Sequence, residues 1–155
     1  MIKCAAIQMA SGPSVSSNLL EAEKLIAEAV KAGAKLVALP ENFAMMGDRE
    51  VDKIKIKEVD GKGPIQLFLS TTAKKYGVWL IGGTIPIAGN NENKVRAACV
   101  IYDNQGERVA RYDKQHLFDV NVPGTDEVYR ESDSIERGDE LLVLDSPFGK
   151  LAFAD

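Results

Sequence analysis

Histidine and cysteine are scarce: the 155 residues hold one of the first and two of the second. No group of these residues has metal-ligand spacing, so a zinc-type centre is not expected. Cys4 and Cys99 both lie inside apolar strand-like runs. They read as buried small hydrophobes, not as a disulfide or a nucleophile. No run of 18 apolar residues occurs, so no membrane partner is expected. The start, Met1-Ile2-Lys3-Cys4-Ala5-Ala6-Ile7, lacks the layout of a signal peptide and reads as a first strand, which makes the cytoplasm the expected location. Positive charge is not in excess either. Nineteen basic residues stand against 23 acidic ones, a net charge of −4, which disfavours a nucleic-acid partner.

Several motifs are also missing. There is no G-x-G-x-x-G and no G-x-x-x-x-G-K-[ST], so a nucleotide-binding domain or a flavodoxin-like module is unsupported. There is no G-x-S-x-G, and the lone His116 is read as structural or as pocket wall rather than as a catalytic base.

What is present is ordinary for one globular domain: 45% apolar and 27% charged residues. Residues 2–9 read as a buried strand. Asn18 and Glu21 approximate a capping box for a helix over 18–32, stopped by Gly33. The run 35–39 is a second strand. A short helix is expected near 49–57 within a polar loop. Gly63-Pro64 opens another helix, which Gly77 ends, and 78–82 is a third strand. Lys94 to Tyr102 and Glu107 to Tyr112 form a hairpin. Residues 115–138 are irregular, which marks a functional segment. Leu141 to Leu144 and Leu151 to Ala154 pair around Pro147-Phe148-Gly149. The order β-α-β-α-β followed by antiparallel strands implies an α/β fold with a mixed sheet.

Against this frame Glu41 stands out. It follows the apolar run Lys35-Leu36-Val37-Ala38-Leu39 and Pro40. Proline cannot continue the ladder, so an acid is held at the tip of a buried strand, where open α/β proteins place their sites. Lys114, in Tyr112-Asp113-Lys114-Gln115-His116-Leu117-Phe118, ends a hairpin strand. Glu131, in Tyr129-Arg130-Glu131-Ser132, reads by itself as solvated. An acid and a lysine sharing one pocket would keep each other charged. The acid could take a proton from a nucleophile and the lysine could stabilise an oxyanion. Met45 and Met46, just after Glu41, read as packing residues, with lining of the substrate pocket as the alternative.

Leu39-Pro40-Glu41, the stretch Tyr112 to Val120, and Tyr129-Arg130-Glu131-Ser132 resemble, in that order, the nitrilase superfamily of carbon–nitrogen hydrolases. Within it they are most similar to the Nit branch of deaminated-glutathione amidases and omega-amidases. The resemblance implies the N-terminal part of an α-β-β-α sandwich, with residues 1–155 as the first portion of one hydrolase domain. It implies a Glu-Lys-Cys triad: Glu41 as general base, Lys114 as oxyanion stabiliser, Glu131 as a positioning glutamate. It implies no cofactor and no metal, a small-molecule amide as substrate, and a homo-oligomer. Pro147-Phe148-Gly149-Lys150-Leu151 looks like the family's strand leading to its nucleophile, which would follow directly after Asp155. The 155 residues alone are therefore expected to be inactive as an amidase. A non-catalytic fragment or pseudoenzyme, acting by binding or association, is the alternative.

Overall fold

The computed structural model describes residues 2–154. Its centre is a six-stranded mixed sheet. β1 (Cys4–Ala6), β2 (Leu36–Ala38) and β3 (Trp79–Ile81) run parallel, joined through α1 (Val15–Lys31) and, after the short α2 (Asp52–Lys55), through α3 (Pro64–Tyr76). β4 (Ile85–Ala88), β5 (Val95–Tyr102) and β6 (Arg108–Asp113) add antiparallel ladders. β3 and β4 occupy successive stretches of one edge of β5, and β6 takes the other.

Residue alternation sorts the sheet's two faces. Val37, Leu80, Ala98 and Val100 face α1 and α3, meeting Ile26, Ile65 and Leu69 in the main core. Leu36, Trp79, Cys99, Ile101 and Tyr112 face the other way. They pack against a separate hairpin, β9 (Leu142–Ser146) with β10 (Gly149–Phe153), through Leu144, Phe148 and Leu151. The Trp79 and Phe148 rings meet edge to face at 6.0 Å. A third small ladder pairs β7 (Asp119–Asn121) with β8 (Val128–Arg130), followed by a 3-10 turn over Glu131–Asp133. Among the described residues no helix is long and apolar enough to cross a membrane.

The sequence reading needs correction at several points. β1 covers only Cys4–Ala6 of the expected 2–9, and it is the edge strand of the sheet. Cys4 is consequently exposed, not buried, whereas Cys99 lies in the core. Helix α1 starts earlier than expected, because Ser14 and not Asn18 caps it, accepting from Ser17 N–H. Asn18 has another task. Its side chain, 5% exposed, accepts from Gly12 N–H at 3.0 Å and donates to Gly12 O at 2.7 Å and Ala44 O at 2.9 Å. It stitches the loop after β1 to the loop after Glu41. Asn18→Ala removes the side-chain partner of Gly12 N–H and Ala44 O, while Gly12 O keeps Met46 N–H at 3.0 Å, and is expected to cost about 1–3 kcal/mol. A urea-midpoint shift worth less than about 0.5 kcal/mol would contradict that role.

β4 was not anticipated, and it contains Pro86. The proline sits at a position where its carbonyl, not an N–H, is used, accepting from Glu58 N–H at 2.9 Å. Nor is the segment 115–138 wholly irregular, since β7, β8 and the 3-10 turn lie within it. Met46 is 53% exposed and so is not a packing residue.

Candidate active site

Glu41 is set by the sheet behind it. Leu39 N–H still bonds to Ile81 O at 2.9 Å, and the ladder ends at Pro40. The bend between β3 and β4 then closes over the chain. Gly83 adopts φ +56°, and a Cβ there would stand 2.0 Å from Pro40 O. No side chain fits, so glycine is required for both conformation and contact. The next residue, Thr84, accepts from Asn42 N–H through its hydroxyl at 3.0 Å. Asn42 itself takes φ 54°, the only positive φ of a non-glycine residue among those described.

Lys114 follows β6 directly. Its N–H donates to Ala97 O at 3.0 Å, and its carbonyl accepts from Gly138 N–H at 2.8 Å. Glu131 begins the 3-10 turn. The chain just beyond it is anchored by Ile135, 2% exposed, which bridges to Val95. Val95 N–H bonds to Ser134 O at 2.9 Å, and Glu136 N–H to Val95 O at 2.8 Å. β5 thus fixes both Lys114 and Glu131.

The three side chains converge. Lys114 Nζ lies 2.9 Å from Glu41 Oε1 and 3.1 Å from Glu131 Oε2. Glu131 Oε2 also accepts from Phe118 N–H at 2.7 Å. The residues are far apart in the chain, 73 positions for Glu41 and Lys114, so the convergence is tertiary. Exposure separates the two acids: Glu41 is 49% exposed in its side chain, Glu131 only 11% and Lys114 13%. The solvated reading of Glu131 is therefore wrong. Burial by itself would favour the neutral amine of Lys114. The hydrogen bonds and charges of Glu41 and Glu131 together outweigh it and hold the ammonium above the ordinary lysine range.

These groups line a cavity of about 280 Å³ that also presents Asn42, Lys53, Phe118, Tyr129 and Arg130. Phe118 and Tyr129 form a ring pair at 5.5 Å on its rim. Lys53 is tied to Glu50 at 2.7 Å. Met45, Met46 and His116 do not line the cavity. Among the described residues no group of three or more His, Cys, Asp and Glu could hold a metal ion.

Neither described cysteine can serve this cavity. Cys4 pairs with Leu36, at the end of β2 remote from Glu41. Cys99 is in the core on the hairpin side, and burial pushes its thiol up to about 12 despite a hydrogen bond with the Gly82 backbone. A thiol that stays protonated is a poor nucleophile. What the site can do chemically is hold a carboxylate base and an ammonium charge side by side at a small opening.

Comparison with known proteins gives a consistent picture. The carbon-nitrogen hydrolase family model matches residues 3–154. The chain is 41% identical over 154 residues to the deaminated glutathione amidase of Synechocystis, covering 97% of this chain and 55% of that protein. It is 34% identical over 145 residues to the omega-amidase NIT2-B of Xenopus laevis, covering 94% and 51%. Among solved structures it superposes on Saccharomyces cerevisiae Nit3, a member of branch 10 of the nitrilase superfamily, with a TM-score of 0.80 and 29% identity over 96% of this chain and 53% of that one. The chain spans about half the length of the curated relatives it matches. The α/β fold with its mixed sheet is accordingly the matching part of the nitrilase-like sandwich, and the chain belongs to the carbon-nitrogen hydrolase family.

Proposed function

We propose that these residues supply the base and the oxyanion stabiliser of a cysteine-dependent amidase that converts a small-molecule amide to a carboxylate and ammonia. The observation that carries the reading is one ammonium, Lys114, shared at 2.9 Å and 3.1 Å by Glu41 and Glu131 in a cavity. In this reading Glu41 takes the proton from a cysteine thiol as its sulfur attacks the amide carbonyl. Lys114 balances the negative charge that forms on the carbonyl oxygen. The C–N bond breaks as Glu41 returns the proton to the departing nitrogen. Water, deprotonated by Glu41, then hydrolyses the thioester and releases the thiol. Glu131 holds Lys114 in place and does not exchange protons.

The thiol is proposed to come from outside this sequence, with residues 1–155 as the N-terminal portion of a single domain. The remote or buried positions of Cys4 and Cys99 support that division. The relatives' names suggest substrates in the class of deaminated glutathione and omega-amides. Two unpaired cysteines fit a reducing, cytoplasmic setting. Self-association is part of the reading: Leu141 and Val143 are 75% and 61% exposed, and β9 and β10 pair only with each other among the described strands.

The test compares ammonia release from a dicarboxylate monoamide by three proteins. They are the 155-residue chain, the same chain joined to the C-terminal half of its Synechocystis relative, and that fusion with its nucleophilic cysteine changed to Ala. Only the unaltered fusion is expected to release ammonia. Undiminished release by the Ala form would overturn the mechanism, and equal silence from all three would favour a non-catalytic role.

A further inference from the structure

Asn42 lines the cavity beside Glu41. Three observations meet at it. Its backbone holds the left-handed conformation at φ 54°, which is costly for most side chains and tolerable for Asn. Its N–H is fixed by the Thr84 hydroxyl at 3.0 Å, on the bend that Gly83 presses against Pro40. Its side chain lines the same cavity as Glu41 and Lys114, and among the described residues the Asn42 carboxamide has no hydrogen-bond partner. The backbone of Asn42 is thus fixed at the cavity wall, and its carboxamide keeps donor and acceptor uncommitted to other described residues.

An amide substrate offers the complementary set: a carbonyl acceptor and, in a primary amide, an N–H2 donor. The cavity's other polar groups are charged, apart from the Tyr129 hydroxyl, which lies 3.5 Å from Glu127 Oε2. Lys114 matches only an acceptor, and the carboxylates only donors. A neutral group that can both give and accept is what distinguishes an amide from the carboxylic acid it becomes. A carboxylate product would still find the cations Lys53, Lys114 and Arg130, but it could use only half of the Asn42 pair.

We propose that Asn42 is a substrate-contacting residue that selects a carboxamide over a carboxylate by hydrogen-bonding it through its side chain. This rests on the amidase reading for its kinetic consequence but not for the contact itself. The left-handed backbone gives an unusually clean variant. Asn42→Gly removes the carboxamide while keeping, and easing, the required φ, so the fold should be retained.

Two measurements decide the matter and separate it from the amidase reading. In the 155-residue chain, propionamide should shift the Asn42 side-chain NH2 resonances in a 15N-correlated NMR spectrum, and equal concentrations of propionate should not. In the fusion with the Synechocystis C-terminal half, Asn42→Gly should raise KM for a primary amide about five- to tenfold with kcat changed less than about twofold. A purely conformational role for Asn42 predicts no kinetic change, because glycine satisfies the backbone. Unshifted resonances, or an unchanged KM in an active fusion, overturn the proposal. Shifted resonances with an inactive fusion would sustain the contact and overturn the amidase instead.

Discussion

Changing Lys114 to Met is expected to cost about 2–3 kcal/mol of unfolding free energy at neutral pH. The cause is Glu131 rather than Glu41. With its side chain 11% exposed, Glu131 cannot turn to water, whereas Glu41 at 49% can. Loss of the ammonium leaves Glu131 the Phe118 N–H at 2.7 Å among its contacts to the described residues. Adding Glu131→Gln to the variant removes the stranded charge and should recover at least half of the loss, since the two sites are in contact and not additive. The pH dependence has a definite sign. The folded protein raises the Lys114 pKa, so its contribution is fully present below the unfolded lysine value of about 10.4. It is lost as pH rises through the folded value. The gap between wild type and Lys114→Met should therefore narrow only in strongly alkaline solution. In the fusion the same change is expected to lower kcat/KM by about 10²- to 10³-fold. Urea titrations showing less than about 0.5 kcal/mol of difference at pH 7 would remove Lys114 from its structural role.

Glu41→Gln should separate rate from stability in the opposite direction. Its ion pair is half solvated, and such pairs contribute about 0–1 kcal/mol, so the denaturation midpoint should barely move. Gln keeps the shape and can still face Lys114, but it accepts no proton. Amide hydrolysis by the fusion should then fall about 10²- to 10⁴-fold. Glu131→Gln supplies the contrast, losing stability because the nearly buried Lys114 ammonium gives up one of its two carboxylates. If Glu41→Gln retained most of the rate, the general base would have to be sought elsewhere in the cavity.

How far the sequence foretold this arrangement depends on how local each determinant is. Glu41 was legible because an apolar run followed by proline marks a strand end by chemistry alone. Lys114 could be placed at the end of a hairpin strand, but by itself it read as a surface lysine, and only its pairing with Glu41 and the family resemblance singled it out. Glu131 was legible only through the family resemblance, since its burial depends on Ile135 docking against Val95, a contact between segments 40 positions apart that no local pattern announces. Asn18 was misread for a related reason. A residue that looks like a cap in one dimension is claimed by Gly12 and Ala44 in three. Cys4 sits in an apolar run, yet position at the edge of the sheet decides its exposure. β4 escaped notice because proline argues against a strand unless a neighbour uses its carbonyl, as Glu58 does.

One strand serves as the common origin of the whole site. The Ala97 carbonyl seats Lys114, Val95 seats the segment that carries Glu131, and Val100 O receives Gly82 N–H at the bend that pins Glu41. Three groups measured from one origin keep their mutual distances when that origin drifts. Loops and rims around the cavity can therefore diverge freely among descendants, changing what enters it, without disturbing the spacing of the charges inside. Substitutions in β5 have no such freedom, because a slip of that strand would move all three groups at once.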